Sequence, residues 1–230
     1  MKKDLIYDSQ QTLFGAREII GFGGDEWHVK EIDRKLANKL IVKNHYSKKH
    51  VAIPHQKIDL GVFICGELLG VLQYGYAMNP ASCGSVVEGT QMDQYLELNR
   101  MWLDDKAERN SESKAISYSL RYIRSKFPKI KWIQSFADER CGCFGIVYQA
   151  ASFSFYGEHV STFWTLDNEV FHNSRFTNSK DPAYKYLSEN KDRAEKSSLR
   201  QFRYIKFIDN RWKKKCLLKE QPYLKYYNGD

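Results

Sequence analysis

Arg100 stands in the middle of a segment that otherwise has the pattern of a strand, YLELNRMWL at residues 95–103. Side chains alternate between the two faces of a strand, so Arg100 interrupts a face formed by Leu96, Leu98 and Trp102. One interpretation is a salt bridge to a nearby carboxylate. The other is a positive charge that stabilises a developing oxyanion or a phosphate.

The helix that follows begins with a run of hydroxyl groups. Apolar residues at helical spacing predict a helix over 111–127, which Pro128 ends. Asn110 or Ser111 is suited to cap its first turn. Ser113 has two open interpretations, a first-turn hydroxyl that satisfies backbone N–H groups or a contact to a bound donor.

Two further residues have side chains suited to proton transfer. Asp138 directly follows the predicted strand IKWIQSFAD, a position typical of a catalytic base or a metal ligand, or of a cap on the next helix. Tyr148 lies in the segment VYQAASF, where a tyrosine could be a core residue with a hydrogen-bonded hydroxyl.

His45 and Tyr46 lie in the basic and aromatic loop NHYSKKH. Together with Asp138, they would supply mixed nitrogen and oxygen ligands of the kind that suits non-haem iron. Spacing alone does not establish this site, because the chain has no pair of histidines at i and i+4. The Cys-x-Cys segment at 141–143 lacks the spacing of a zinc knuckle, so we expect structural, reduced thiols there.

The composition is that of a folded protein with a basic C-terminal part. The chain has 230 residues, 42% of them hydrophobic, and a net charge of +8. Residues 180–230 contain 14 Lys and Arg against 7 Asp and Glu. No apolar run reaches the roughly 20 residues that span a bilayer, and the N-terminal segment lacks the apolar stretch of a signal peptide.

Basic and aromatic residues alternate in this C-terminal part, which favours contact with nucleic acid over a merely solvated tail. Tyr204, Phe207 and Trp212 are placed to stack on bases or to pack in the fold. The loop at 43–57 is basic and aromatic as well. The residues expected to contact DNA are Lys48, Lys49, Arg203, Lys206, Arg211, Lys213, Lys214 and Lys215.

The order of predicted elements indicates an α/β (α+β) fold with a mixed sheet flanked by helices. A helix is expected over 26–44, with Ile32, Leu36, Leu40 and Val42 at helical spacing. A hairpin at 60–64 and 68–76 follows it, then the strand 95–103, the helix 111–127, a strand, a short helix and a strand. Residues 1–166 are expected to form the catalytic domain. Residues 167–230 are expected to form a basic, partly helical extension that packs on it.

This order is similar to that of the GNAT acyltransferase superfamily, in which one strand splays from its neighbour and an acyl-CoA lies in the wedge. The resemblance implies that Arg109, Asn110, Ser111 and Ser113 bind the donor. It also places Tyr148 as the acid, with Ser152 where the family usually has glycine. The phosphate loop departs from the family pattern, because RNSESKA has Glu112 at the first glycine position. A carboxylate there would repel a pyrophosphate.

A narrower resemblance covers about residues 25 to 166. The segments NHYSKKH, VEGTQMDQYLELNRMWLDDKAERNSESKAIS and IKWIQSFAD resemble the Mom proteins of Mu-like bacteriophages. That resemblance implies an enzyme that acts in the cytoplasm of the infected host and converts adenine in DNA to N6-(carbamoylmethyl)adenine, which protects phage DNA from restriction.

The resemblance further implies double-stranded DNA with a flipped adenine as partner, and Fe²⁺ as a cofactor. Arg100, Asp138, Tyr148 and Ser113 would be the catalytic residues. The donor would be an activated glycine such as glycyl-tRNA, which makes tRNA a further partner, or acetyl-CoA. Two other functions stay open, an ordinary GNAT N-acetyltransferase acting on a protein or small amine and a non-catalytic DNA-binding protein.

Overall fold

The structure, a computed structural model, describes residues 3–11, 15, 17–142, 144–177 and 179–224. Ten strands in these residues form one sheet with the order β1-β2-β3-β4-β5-β6-β7-β10-β8-β9. All neighbouring strands are antiparallel except β6 and β7, which are parallel. The strands are β1 (Asp4–Gln11), β2 (Arg17–Gly24), β3 (Trp27–Glu31), β4 (Gln56–Ile64), β5 (Glu67–Gly75), β6 (Tyr95–Leu103), β7 (Trp132–Asp138), β8 (Ser154–Leu166), β9 (Glu169–His172) and β10 (Glu195–Phe207).

Helices accompany the sheet at both ends and on its faces. Those of the described residues are α1 (Arg34–Asn44), α2 (Ser111–Lys126), α3 (Ile146–Ala150), α4 (Ser174–Thr177) and α5 (Tyr184–Glu189). Short 3-10 turns lie at Pro80–Ser85, Met92–Gln94, Glu139–Cys141, Lys191–Arg193 and Asn210–Lys215. Among the helices of the described residues, none has the length and apolar character needed to cross a bilayer.

The predicted mixed sheet flanked by helices is confirmed, and so are several of its elements. The strand expected over 95–103 has those bounds, and the helix expected over 111–127 ends one residue earlier. Helix α2 buries Ile116, Leu120 and Ile123 against the sheet, as its spacing predicts. The expected hairpin is formed by β4 and β5.

The helix predicted over 26–44 was wrong in its first part. Trp27 and Val29 alternate with exposed or half-buried residues and belong to β3, the middle strand of the β2–β3–β4 meander. The helix begins after Asp33, whose carboxylate accepts hydrogen bonds from the first-turn N–H groups of Lys35 and Leu36 at 2.9 and 3.1 Å.

The helical spacing of the apolar residues did not identify the residues that this helix buries. Ala37 and Ile41 are its fully buried residues. Leu36 and Val42 are exposed instead, although their spacing suggested a core face.

The C-terminal part contributes to the central sheet. Strand β10 lies between β7 and β8, and it pairs with β7 from Gln201 opposite Asp138 to Phe207 opposite Trp132. Tyr204 and Phe207 are buried, so these aromatics pack rather than stack on a ligand. The division into domains at residues 1–166 and 167–230 stays a prediction. Strand β10 belongs to the second range and lies inside the central sheet.

The two faces of the sheet carry different packing. On one face, Ile133 and Ala137 of β7 belong to the core that includes Ile116 and Ile123 of α2. On the other face, Trp132 packs in a second core with Tyr95 and Phe207. Because side chains alternate along a strand, Gln134, Phe136 and Asp138 share the face of Trp132, away from α2.

Candidate functional site

Strands β6 and β7 pair for only four residue positions and then separate. Their register runs from Tyr95 opposite Trp132 to Leu98 opposite Ser135. The buried Ser135 hydroxyl donates to the Leu98 carbonyl at 2.8 Å, at the last paired position. Beyond it β6 continues beside β5, and β7 continues beside β10. This splay is the wedge expected from the sequence.

Asp138 lies at the end of β7, on one arm of the wedge, and its carboxylate is fully engaged. Arg140 donates its backbone N–H and Nε to Oδ1, both at 3.0 Å, and its Nη2 to Oδ2 at 2.5 Å. Burial would raise the pKa of Asp138, but these hydrogen bonds and the Arg140 charge hold that pKa below its ordinary value. The Tyr46 hydroxyl is close enough to lower the pKa of Asp138 as well. Asp138 also caps the 3-10 turn that follows, so the structural interpretation holds alongside any catalytic one.

Arg100 connects the other arm of the wedge to the loop that carries His45 and Tyr46. Its Nε donates to the Lys49 carbonyl at 2.9 Å, and its Nη1 to the Asn99 carbonyl at 2.6 Å. Burial lowers the pKa of Arg100. The nearby Tyr46 and Glu97 oppose this decrease, and the charge of Arg140 adds to it. The hydrogen bonds of the guanidinium thus go to carbonyl oxygens. Its positive charge is partly desolvated and lies beside Tyr46.

His45 is buried next to this cluster and is neutral at physiological pH. Its ring lies 4.3 Å from that of Tyr46, centroid to centroid, and Nδ1 is 2.8 Å from the Ser47 hydroxyl. Burial, followed by the positive charges of Arg100 and Lys48, lowers the pKa of His45 to about 4.

The expected iron ligands His45, Tyr46 and Asp138 are brought together, but their arrangement does not fit a divalent cation. Arg140 already holds both oxygens of Asp138, and Arg100 adds a second positive charge close by. Within the described ranges, no group of three or more His, Cys, Asp or Glu residues is placed to bind a metal ion.

A chain of polar side chains crosses the base of the wedge on the face away from α2. Arg203 Nη1 donates to Gln134 Oε1 at 2.9 Å, and Gln134 Nε2 donates to Glu97 Oε2 at 2.9 Å. Asn99 Nδ2 donates to the other oxygen of Glu97 at 2.8 Å. This chain fixes the two amide groups and the carboxylate relative to one another.

A cleft of about 320 Å³ lies at the N-terminus of α2. Arg109, Asn110 and Ser113, which were predicted to bind the donor, line it together with Ile146 and Val147 of α3. Asn110 has a left-handed backbone conformation and makes no side-chain cap to the helix. The Ser113 hydroxyl donates to the Asn110 carbonyl at 3.0 Å, whereas Ser111 is buried.

Carboxylates dominate the lining of this cleft. Among the described residues around it, Arg109 is basic, whereas four side chains are acidic: Asp104, Asp105, Glu108 and Glu112. The free N–H groups of a helix N-terminus favour an anion, but four nearby carboxylates oppose a pyrophosphate. The effect expected from Glu112 alone is therefore reinforced by three residues of the preceding loop.

Tyr148 lies on α3 beside the cleft and is buried. Its ring centroid is 5.4 Å from that of Tyr204 and 5.8 Å from that of Phe153. Burial raises the pKa of Tyr74, its hydrogen bond to Ser119 opposes the rise, and the nearby Tyr148 adds to it. Tyr148 thus adjoins a second buried tyrosine.

The backbone next to α3 accounts for one departure from the GNAT pattern, the serine at position 152 where the family usually has glycine. Ser152 has a φ of 62°, in the left-handed region that glycine adopts without strain. Glycine is usual there in the family, and this chain accommodates serine in the same conformation. Gly145, with a φ of 80°, has no such latitude, since a Cβ would collide with the Tyr204 ring.

Comparison with known proteins agrees with these features. The sequence model of the Mom protein family matches residues 26–225. Over 229 residues the chain is 46% identical to the methylcarbamoylase Mom of Escherichia phage Mu, in an alignment that covers 97% of this chain and 94% of that protein. The chain belongs to the Mom protein family.

Solved structures of acetyltransferases resemble the fold of this Mom-family protein. NAA60 of Arabidopsis thaliana, crystallised with acetyl-CoA, has a TM-score of 0.50 at 10% identity, covering 79% of this chain and 99% of that one. An acetyltransferase of the GNAT family from Streptococcus pneumoniae has a TM-score of 0.45 at 10% identity, covering 79% and 99%. The predicted GNAT-like architecture is confirmed by the sheet and its neighbours, and these distant likenesses show the fold alone.

The residues expected to contact DNA occupy two regions of this Mom-family protein. Lys48 and Lys49 are in the loop next to Arg100, at the surface. The basic turn Asn210–Lys215 follows the other end of β10. Gln201 and Phe207 are six residues apart along that strand, so roughly 20 Å separates the Asp138 end from the basic turn. The structure does not bring this turn to the wedge.

Several of these basic side chains already have partners. Arg203 lies 4.8 Å from the Phe136 ring and binds Gln134, and Lys206 donates to the Ser152 carbonyl at 2.9 Å. Arg211 pairs with Asp209, and Lys213 with Glu220 at 2.7 Å. Lys213, Lys214 and Lys215 nevertheless remain exposed at the surface.

The thiols give no sign of a metal or disulfide site where they are described. Cys65, Cys83 and Cys216 are free thiols. Cys143, half of the Cys-x-Cys segment, lies outside the described residues.

Arg140 is the site residue that sequence reasoning missed. The sequence does contain a signal for it, an Asp-x-Arg pattern at the end of a strand. A capping aspartate brings the backbone N–H and the guanidinium of residue i+2 within hydrogen-bonding distance of its carboxylate. Its contacts to Tyr46 and Phe163, in contrast, depend on long-range packing.

Proposed function

We propose that this Mom-family protein modifies adenine in DNA, converting the N6 amine to N6-(carbamoylmethyl)adenine and so protecting phage DNA from host restriction. It would act in the cytoplasm of the infected bacterium. The observation that carries the proposal is 46% identity over nearly the whole chain to a methylcarbamoylase of phage Mu. The wedge, with a donor cleft on one side and a buried carboxylate on the other, is consistent with group transfer.

The residues of the wedge have roles that follow from the chemistry of adenine. The N6 amine is a poor nucleophile because its lone pair is delocalised into the ring. Asp138 would accept the proton that the amine loses on attack, and Arg100 would stabilise the negative charge that develops on the carbonyl oxygen. Tyr148, on α3 beside the donor cleft, would donate a proton to the leaving group.

The lining of the cleft bears on the donor. Its four carboxylates disfavour the pyrophosphate of acetyl-CoA, whereas they would attract the ammonium group of an activated glycine. We therefore favour glycyl-tRNA as the donor, with Arg109, Asn110, Ser111 and Ser113 around the binding site. In this route Asp138 and Tyr148 act in the same proton-transfer roles.

The atoms of this route balance. The N6 nitrogen forms a bond to the glycyl carbonyl carbon, and the ester bond to the tRNA ribose breaks. The N6 proton passes to Asp138, and the ribose oxygen receives a proton from Tyr148. In the rearrangement the N6–carbonyl and CH₂–NH₂ bonds break, and N6–CH₂ and carbonyl–NH₂ bonds form. The adduct N–CO–CH₂–NH₂ and the product N–CH₂–CO–NH₂ are isomers, so the step needs no oxidant, reductant or further reactant.

An adenine inside a duplex cannot reach this wedge, so the base must be flipped out of the stack. Lys48 and Lys49 would contact the backbone near the flipped base; the bond from Arg100 to the Lys49 carbonyl, which holds their loop beside the wedge, supports this. The distant basic turn Asn210–Lys215 would contact a more remote part of the same duplex.

An ordinary N-acetyltransferase is the second candidate, and the fold shared with NAA60 favours it. It predicts tight coenzyme A binding and no requirement for DNA. A DNA-binding protein without catalysis would have no need for Arg100 and Asp138 in the wedge or for Tyr148 beside the cleft.

Mass spectrometry of nucleosides distinguishes these functions. DNA from bacteria that express the wild-type protein is expected to contain deoxyadenosine carrying a carbamoylmethyl group, and DNA from cells that express Asp138→Asn to lack it. Unmodified DNA together with an acetylated protein or amine would establish the second candidate. Unmodified DNA and binding to DNA alone would establish the third.

A further inference from the structure

The pairing of Arg140 with Asp138 conflicts with a catalytic role of Asp138. Arg140 Nε lies 3.0 Å from Oδ1 and 3.1 Å from Oδ2, and Nη2 and the backbone N–H add two further hydrogen bonds. With these hydrogen bonds on both oxygens, the carboxylate has few acceptor positions left for an incoming amine. Something has to displace the guanidinium before Asp138 can accept a proton from a substrate.

A second Asp-x-Arg pair in the chain shows which part of this arrangement is local. Asp209 accepts from Arg211 N, Nε and Nη2 at 3.1, 2.9 and 2.7 Å, again at the start of a 3-10 turn. There the arginine side chain is 88% exposed, against 34% for Arg140. The hydrogen bonds are thus a capping motif, and the surroundings distinguish the pair at the wedge.

Those surroundings are aromatic and positive. The Arg140 guanidinium lies 4.7 Å from the centroid of the Phe163 ring and 5.7 Å from that of Tyr46. Arg100 is close enough for the two positive charges to affect each other. A guanidinium on aromatic rings is preorganised to bind a planar or tetrahedral oxyanion through two N–H groups, and the second arginine strengthens the local preference for an anion.

DNA supplies such an anion at the required place. A base that enters the wedge brings its own flanking phosphates, which are the only charged groups of a nucleotide within a strand. We propose, on the basis of the DNA function above, that Arg140 binds a backbone phosphate beside the target adenine and in doing so releases Asp138 to act on it. The guanidinium exchanges one oxyanion for another, so the carboxylate becomes available only when a nucleotide is in place.

The test measures equilibrium binding to a duplex with one unpaired adenine, so its outcome does not depend on modification. Single phosphates around that adenine are replaced in turn by uncharged methylphosphonates. In the wild-type protein, one replacement is expected to weaken binding about tenfold, the effect of removing one charge-assisted hydrogen bond. In Arg140→Gln the same replacement should cause no further weakening, whereas replacements elsewhere should weaken both proteins equally.

Arg193→Gln provides the matched control. Arg193 also pairs with a carboxylate, Asp167 at 2.8 Å, but it lies on the 3-10 turn Lys191–Arg193 and is not paired with Asp138. In Arg193→Gln, every methylphosphonate should weaken binding by the same factor as in the wild-type protein. If Arg140→Gln does not fold, as thermal unfolding will show, Arg140→Lys answers the question. It keeps the charge but not the two-pronged geometry, and should show a reduced dependence on the same phosphate.

Asp138→Asn tests the exchange itself. Removing the competing carboxylate should strengthen binding several-fold, and this gain should disappear in the double variant with Arg140→Gln and on the methylphosphonate duplex identified above. The proposal would be overturned if each methylphosphonate weakened binding by the same factor in the wild-type protein and in Arg140→Gln. It would also be overturned if Asp138→Asn bound DNA no more tightly than the wild-type protein. Failure of the proposed function is a separate outcome, recognised by unmodified adenine in DNA from cells that express the wild-type protein.

Discussion

The Ser135 hydroxyl is hydrogen-bonded to the Leu98 carbonyl at the point where β6 and β7 part. One buried bond therefore closes the paired end of the wedge, and Arg100 and Asp138 lie beyond it on the two arms. Because Asn99 and Arg100 follow Leu98 directly, and Asp138 is three residues beyond Ser135, their separation depends on where pairing stops.

Replacing Ser135 by Ala should destabilise the protein by about 1–3 kcal/mol, because it leaves the Leu98 carbonyl buried without this donor. Chemical denaturation monitored by circular dichroism measures the change. Ser117→Ala is a suitable control, since Ser117 bonds a carbonyl of its own helix at 2.8 Å in a half-buried position. Equal effects of the two substitutions would show that the bond at the wedge has no special weight.

Arg100→Ala, Asp138→Ala and Tyr148→Phe should each abolish or strongly reduce adenine modification while the protein stays folded. The reason differs for each residue: a lost positive charge, a lost proton acceptor and a lost proton donor. Nucleoside mass spectrometry gives the product, and thermal unfolding reports the fold. A variant that retains wild-type product levels would remove its residue from the mechanism.

The strand at 95–103 and helix α2 could be predicted from the sequence, because the spacing of the apolar residues within each element is enough to identify it. The β3 segment was mistaken for helix because WHVKE is short and directly precedes a true helical pattern. Its strand conformation depends on pairing with β2 and β4.

The alternation of basic and aromatic residues in β10 has a similar explanation. It suggested a tail that binds nucleic acid, but Tyr204 and Phe207 are core residues of a strand between two distant partners. Local sequence does not encode that insertion. The same limit applies to the candidate site, where Asp138 could be proposed from its position after a strand, but the packing of Arg140 on Phe163 could not.

The stability of the protein should depend on pH through His45. Burial depresses its folded-state pKa to about 4, below the unfolded value of about 6.5. Between these values the unfolded chain binds the extra proton, so the free energy of unfolding falls as pH decreases from about 6.5 to about 4. Urea denaturation of wild type and His45→Gln across this range measures the difference in slope. A parallel pH dependence in both proteins would show that His45 titrates normally in the fold.

Neutralising the exposed lysines of the C-terminal turn should weaken DNA binding to a similar degree for all sequences. Lys213→Gln, Lys214→Gln and Lys215→Gln together would remove charges that meet phosphates, so the salt dependence of binding should flatten by about one unit of slope for each phosphate that is no longer neutralised. Fluorescence anisotropy at several salt concentrations measures both effects. Unchanged affinity and slope would leave the turn as a solvated surface, with DNA binding confined to the wedge side.

The origin of the transferred atoms should distinguish the two donors. The acidic cleft at the start of α2 opposes a pyrophosphate, and glycine contains both carbons and the nitrogen of the N–CH₂–CO–NH₂ group in one molecule. Acetyl-CoA would instead need a separate source of nitrogen and a carbon–nitrogen bond made at a methyl group. Cells that express the protein are grown with doubly labelled ¹³C,¹⁵N-glycine, and the modified adenine is analysed by mass spectrometry. We expect both carbons and the nitrogen to enter as one intact unit. Carbon label arriving from acetate, with nitrogen from another source, would refute the glycine route and restore acetyl-CoA as the donor.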